Sequence, residues 1–363
     1  MKKIVVVFFL CIVFVTDAFT QTKSVTVYTA GSYVVDYSRK PCYWQGITRI
    51  DLPILEGTKQ SGVNSIAIYS GTVYAAGYYS YSETDYFYSA VERYNAAFGD
   101  FKACYWQGTK IIDLPVPEGT KESVAHSIAI SGGTVYVAGY YDEKACYWQG
   151  TTRIDLPVPV GTKGSMAHSI AISGGTVYTA GIYDGNACYW RGTKRIDLPV
   201  PVGTAGSANS IAISGGSVYT AGNYDRKACY WQGTKRIDLP VPDEKNLSIL
   251  RGSATSITVN NDIVYVAVYY YYRVLDFLGY AACYWEGTTR KGLNIKYKDF
   301  RADYQYSSIA VANGTVYIAG IFPQEGHFFS DPPCYWQGTT RIDLPIPENG
   351  SHAQTASIVV SSE

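Results

Sequence analysis

Residues Ser127 to His168 read SIAISGGTVYVAGYYDEKACYWQGTTRIDLPVPVGTKGSMAH, and this stretch decides the fold. Four runs rich in Val, Ile, Tyr and Thr (SIAI, TVYVAGYY, ACYWQ and TTRIDLPV) alternate with turn residues, SGG after the first and QGT after the third. Such residue types suit a pleated surface, and the glycines stand where tight hairpins need positive φ. In TVYVA, Val135 and Val137 point one way while Tyr136 and Ala138 point the other. A sheet with one solvated face would alternate more cleanly. A sheet wedged between two like neighbours would be apolar on both sides.

Outward from this unit, a CYW triplet recurs with its cysteines at Cys42, Cys104, Cys146, Cys188, Cys229, Cys283 and Cys334. The intervals are 62, 42, 42, 41, 54 and 51 residues. A basal period of 42 lies in the range of four-stranded propeller blades. The chain opens after its first twenty or so residues with SVTVYTAG, a second strand lacking its first, and ends with SIVVSSE, a first strand lacking its second. Residues 357–360 are thus expected to complete the blade begun by residues 24–31, which leaves no open edge between first and last blades. The predicted fold is all-β: a seven-bladed β-propeller of four-stranded blades, closed by the C-terminal strand, in one domain spanning 21–363.

The string AISGGTVYVAGYY followed by ACYWQGTTRIDL resembles the bacterial extracellular HAF repeats. Those pair a Gly-x-Val-x-x-Gly hairpin with an aromatic-Trp-x-x-Gly segment and a following Asp-Leu. The resemblance covers all seven units, with Cys-Tyr-Trp standing where that family has other residues before its Trp. It implies an exported repeat protein and no established activity. WD-type and kelch-type signatures are not met.

Residues 1–20 place Lys2 and Lys3 before a twelve-residue apolar run, Ile4 to Val15, with small Thr16 and Ala18 beyond. That is the layout of a secretory signal peptide, and twelve residues fall short of the roughly 20 a membrane span needs. The chain is therefore expected to be secreted, periplasmic or held at the cell surface, without a membrane span. Lys+Arg and Asp+Glu both number 30, and no basic stripe of the kind nucleic-acid binders carry is present. Nucleic acid is excluded as an expected partner, no cofactor or metal is implied, and the ring is expected to be a monomer.

Several chemical-looking residues repeat too regularly to mark a site. All seven tryptophans and every cysteine except Cys11 lie in the CYW triplets. Cys and Trp two apart on a strand face one seam. Equivalent strands in successive blades would lie ~15 Å apart (from the spacing of paired strands), beyond the reach of a disulfide, so buried free thiols are expected. Arg49/Asp51, Arg153/Asp155, Arg195/Asp197, Arg236/Asp238 and Arg341/Asp343 read as solvated pairs or inter-blade bridges on the rim. The register before the innermost strand runs Asn64, His126, His168, Asn209, Thr255, Ser307, Ala356, with a following Ser in each case, and is expected to ring one mouth of the channel. Capping of strand ends is one reading of it and a ligand ring the other; two histidines alone make half a zinc site.

Departures from the repeat carry the functional information. The second-to-third strand connection, counted from the glycine to Cys, is 7 residues in the basal blade, 11 in blade one and 27 in blade two. Counted from Val268 it is 15 in blade six, and it is 14 in blade seven. These insertions emerge on one face and, in a closed ring, form one arc over blades six, seven, one and two. Loops on a rigid scaffold are where function concentrates, and tyrosine supplies contact area at low entropy cost. Candidate ligand-binding residues are Tyr81, Tyr86, Tyr88, Arg93 and Tyr94 in blade two, Tyr270, Tyr272 and Arg273 in blade six, His327 and Phe328 in blade seven, and the channel residues Asn64, His126, His168 and Asn209. The expected function is a non-catalytic binding module for a glycan or a surface protein. The alternatives are a polysaccharide hydrolase or lyase, for which no carboxyl pair stands out, and a purely structural surface protein. No catalytic residue is assigned.

Overall fold

Each repeat folds as four antiparallel strands in the computed structural model, which describes residues 24–82, 100–240, 248–274, 277–296, 308–320 and 333–362; the strands of blades one and two are joined into one sheet by a single parallel bridge, Arg39 to Gln60. Blade three is the plainest, with Ser123–Ser131, Thr134–Tyr141, Lys144–Gln149 and Thr152–Asp155 paired in sequence order. Gly132 and Gly133 both take positive φ, 56° and 77°, the geometry of a type I′ hairpin. Asp142 and Glu143 turn the second hairpin with φ of 40° and 58°, although neither is glycine. The Asp142 carboxylate offsets that strain by accepting the backbone N–H groups of Lys121 and Glu122 in the entering loop. Asp184 does the same for Lys163 and Gly164 in blade four.

Blades two, four, five, six and seven begin at Gln60, Ser165, Gly206, Ser248 and Ser308, and blade one is assembled from both ends of the chain. Its inner strand Ser351–Ser362 lies antiparallel to Val25–Val35, from Val25 opposite Ser362 to Val34 opposite Ser351, with register shifts at Ala30/Gly31 and Ser32/Val34. The innermost strands then follow one another around the hub and return to the start. One hydrogen bond marks each step. The Ile128 N–H donates to Ser65 Oγ at 3.2 Å, and the same bond recurs as Ile170 to Ser127, Ile211 to Ser169, Ile257 to Ser210, Ile309 to Ser256 and Ile358 to Ser308. The seventh, from Ile66 to Ser357 at 3.4 Å, closes the ring.

Between hub and rim the blades meet in apolar seams. Cys146, Trp148, Val137 and Ile128 of blade three pack on Tyr74, Ala76, Tyr105 and Leu114 of blade two. Trp148 Nε1 donates to the Pro115 carbonyl of blade two at 2.9 Å, and Trp106, Trp190 and Trp231 reach Pro53, Pro157 and Pro199 likewise. Trp44 makes the same bond to Pro345 across the closure. In blade six the Tyr270 hydroxyl donates to Pro240 instead, at 3.4 Å.

The inner strands of blades two to six bulge just before their serines: the register breaks at Val63/Ser65, Ala125/Ser127, Ala167/Ser169, Ala208/Ser210 and Ala254/Ser256, and that of blade one skips from Thr355 to Ser357. The kink drives the Val124 carbonyl oxygen over Gly139, where a Cβ would lie 2.0 Å from it. Gly31, Gly77, Gly181 and Gly222 face the same obstruction.

The longer connections of blades one and six are taller hairpins and not the loops expected from spacing. Blade one runs Val25–Val35 and Ser38–Gln45 around a two-residue turn at Asp36–Tyr37. Blade six pairs Ile263–Val274 with Phe277–Glu286 to the tip, where Val274 opposes Phe277. In blades two and seven the connections fall largely in 83–99 and 321–332, outside the described residues. No helix among the described residues is long and apolar enough to cross a membrane.

Gly139→Ala should destabilise the chain by about 3 kcal/mol, since backbone must move to admit the methyl group, while Gly164→Ala, whose Cβ meets nothing closer than 3.7 Å, should stay within ~0.5 kcal/mol. Urea unfolding midpoints of the two variants check this.

Candidate functional site

The channel register is occupied by the extra residue of each bulge. Asn64 donates its Nδ2–H to the Ala125 carbonyl of the next blade at 2.9 Å, and Asn209 to Ala254 at 2.9 Å. His126 Nδ1 lies 3.2 Å from the Ala167 carbonyl and His168 Nδ1 lies 3.0 Å from that of Ala208. A carbonyl only accepts, so both imidazoles carry their proton on Nδ1 in these bonds. The two rings lie 5.8 Å apart, centroid to centroid, with Tyr140 against His126. Thr255 turns to Ala267 of its own blade. All four candidate side chains thus bind blade to blade, the capping role; Ser307 lies outside the described residues, and Ala356 has no polar group to offer.

On the arc, Tyr37 caps the blade-one hairpin at 96% exposure. Tyr81 is 42% exposed, packs edge-on against Tyr79 at 5.6 Å, and carries the Lys102 ammonium 5.2 Å from its ring centre. Arg273 is exposed near the tip of blade six. Tyr270 and Tyr272, expected to offer ligand contacts, are buried at 1% and 8%. Because the blade-six insertion continues the ladder, every second residue turns inward, and Tyr270 fills the seam with Leu239, Val268 and Trp285. Tyr86, Tyr88, Arg93, Tyr94, His327 and Phe328 lie outside the described residues.

The rim pairs prove to be local to each blade, which removes the inter-blade alternative. Arg153 bonds Asp155 within one strand at 2.8 Å, and its guanidinium sits 4.5 Å from the centre of the Tyr141 ring. The Tyr141 hydroxyl donates to Asp155 at 3.2 Å. Tyr224, Arg236 and Asp238 repeat the trio in blade five. Burial and then the Asp155 charge raise the Tyr141 phenol. Burial first, then the same carboxylate, holds the neighbouring Cys146 thiol well above its ordinary 9.0. A thiol so held is protonated and walled off, which suits packing and not nucleophilic attack. All seven triplet cysteines are free and buried. Among the described residues no three His, Cys, Asp or Glu side chains converge as a metal site would require.

On the opposite face, where the first-to-second and third-to-fourth turns lie, a cavity of ≈ 560 Å³ opens between blades seven and one. Tyr317, Tyr335 and Gln337 line one side of it, Val27 and Gln45 the other. These positions belong to the repeat, and the sequence signal for them is the second tyrosine of each unit, which reads as one more strand residue.

No family model matches the chain, and no curated protein matches it. Among solved structures it is similar to the SapL1 lectin in complex with alpha methyl fucoside, at 12% identity over 78% of this chain and 96% of that one, with a TM-score of 0.38. The GH43_1 enzyme from Xanthomonas citri shares 10% identity over 58% and 81% of the two chains, with a TM-score of 0.33. Prolyl oligopeptidase B from Galerina marginata shares 10% over 94% of this chain and 52% of its own, with a TM-score of 0.39. Likenesses this distant carry nothing about activity or ligand. The class of the molecule, a seven-bladed β-propeller, rests on its own strand pairing.

The raised thiols set a pH dependence. A folded-state value above the unfolded one means that stability is fully present below the unfolded value, 9.0 for Cys188, and is lost as pH climbs past it. Urea midpoints should therefore fall between pH 8 and pH 10.5, and a thiol reagent at neutral pH should label the triplet cysteines only after unfolding.

Proposed function

We propose that the chain is an exported, non-catalytic binding propeller that holds a glycan across the raised face. The observation that carries this is the pair of extended hairpins in blades one and six. Blades three, four and five keep two-residue second-to-third turns at Asp142–Glu143, Asp184–Gly185 and Asp225–Arg226. Blades one and six instead build walls on that same face, flanking blade seven, and present Tyr37 and Arg273 to solvent. A tyrosine ring and a planar guanidinium suit sugar faces and hydroxyls, and hairpins cost little ordering entropy on binding. The basic-apolar segment at residues 1–20 and the HAF-like repeat support export.

Glycan-array binding by the protein lacking residues 1–20 tests the reading, beside a Tyr37→Ala variant whose residues 273–278 are replaced by Asn-Gly. The trimmed hairpin keeps Tyr272 opposite Gly279 with a two-residue turn between them. Affinity should fall at least about tenfold, or ~1.4 kcal/mol, with an unchanged circular dichroism spectrum. Equal binding by both proteins, or cleavage of the bound glycan, would overturn it.

A further inference from the structure

We infer that the face opposite the raised hairpins carries a second, repeated set of sites, one in each of five seams between blades, that take a single neutral sugar ring. The inference is independent of the arc and uses none of its residues.

It starts from register. In blade seven Tyr317 opposes Gln337, and Tyr335 lies two residues before Gln337 on the same strand, so all three side chains leave the sheet on the side of blade one. Thr315, two residues before Tyr317, joins them. Val27 of blade one faces this group across the ≈ 560 Å³ cavity, whose lining also includes Gln45 and Gly46 at the strand end. That volume lies within the range of small-ligand sites, about 300–1,000 Å³. The cavity lining consists of tyrosine, threonine, glutamine, asparagine, glycine and valine, and none of it is charged.

The repeat multiplies the arrangement. The second-strand tyrosine stands in all seven blades, as Tyr28, Tyr74, Tyr136, Tyr178, Tyr219, Tyr265 and Tyr317, and the third-strand tyrosine is equally invariant among the units. The glutamine is present in blades one, two, three, five and seven, as is the Ser or Thr. Packing does not explain the hydroxyls, because phenylalanine would fill the seam as well. None of the blade-to-blade bonds already described runs through these phenols. Gln107 Nε2 donates to the Tyr74 hydroxyl at 3.2 Å and Gln232 Nε2 to that of Tyr219 at 3.3 Å, which sets each exposed amide beside a phenol at the mouth of the groove. Burial, with the Tyr317 phenol adding to it, raises the Tyr335 hydroxyl, which therefore remains a neutral donor. Phenol, amide and hydroxyl groups without charge, set against a valine wall, match a ring that is polar at its edge and apolar on its face. In the cavity between blades seven and one a phosphate or carboxylate would find no cation in the lining.

Two blades depart from the pattern. Blade four has Arg191, whose guanidinium lies 5.9 Å from the centre of the Tyr178 ring. Blade six has Ile263 for the hydroxyl residue and Glu286, which accepts from Tyr265 at 3.4 Å. Their seams should not bind.

The test is isothermal titration of the protein lacking residues 1–20 with a panel of methyl pyranosides, beside a Gln45→Ala, Gln107→Ala, Gln149→Ala, Gln232→Ala, Gln337→Ala variant. Because those glutamines end exposed strands, the variant should fold, and a Tyr317→Phe, Gln337→Ala variant supplies a milder check. The expected result is saturable binding of at least one pyranoside with more than one site per chain. Affinity should drop about tenfold or more in the five-fold variant, one site should be lost in the double variant, and trimming of residues 273–278 should have no effect. Absence of saturable binding by any pyranoside, or binding that survives in the five-fold variant, would overturn the inference. Binding abolished only by trimming the blade-six hairpin would assign it to the arc and equally overturn it.

Discussion

Everything in the molecule hangs on how one blade grips the next. No blade can bury both of its apolar faces alone, so each depends on the seam with its neighbour. In five of the seven seams two hydrogen bonds act at different radii. Near the hub a serine hydroxyl accepts the isoleucine N–H of the following blade, as Ser65 does from Ile128. Farther out the tryptophan N–H reaches the proline carbonyl of the preceding blade, as Trp148 reaches Pro115. Both bonds satisfy polar groups that a packed interface would otherwise leave costly. They also set the angle between blades, and Trp44 to Pro345 with Ile66 to Ser357 shows that after seven steps the angle closes.

Much of this was legible in the sequence because it is periodic. The CYW spacing, the glycine pairs and the split repeat at the two ends define blade, hairpin and closure without any structure. The inner-strand bulge was not legible, since alternation by two conceals one extra residue. The bulge is what turns Asn64, His126, His168 and Asn209 onto the next blade's carbonyls, so spacing alone left capping and a ligand ring both open. Counting residues between Val268 and Cys283 likewise could not tell a loop from a longer ladder. Tyr270 consequently looked like a contact residue while it serves as core. The rim trios of Tyr, Asp and Arg depend on pairing across two hairpins, which spacing alone does not fix.

The two faces of the disc differ in kind. One is built from exceptions, the tall hairpins of blades one and six, and would hold one ligand in one place. The other is built from the rule, a phenol pair with an amide at seam after seam, and would hold several copies of something small. Multivalent binding of weak ligands gains strength through effective concentration, and a rigid closed ring fixes the spacing on which that gain depends. Both faces presuppose that the ring is shut.

Native-state hydrogen exchange at the seven inner-strand isoleucine amides measures that closure most directly. If the ring is shut as described, the Ile66 and Ile358 amides flanking the junction will exchange only through global unfolding, with the same protection as Ile128, Ile170, Ile211, Ile257 and Ile309. Exchange at Ile66 and Ile358 that is faster by orders of magnitude, while the other five stay protected, would mean that blade one opens independently, and would contradict the account.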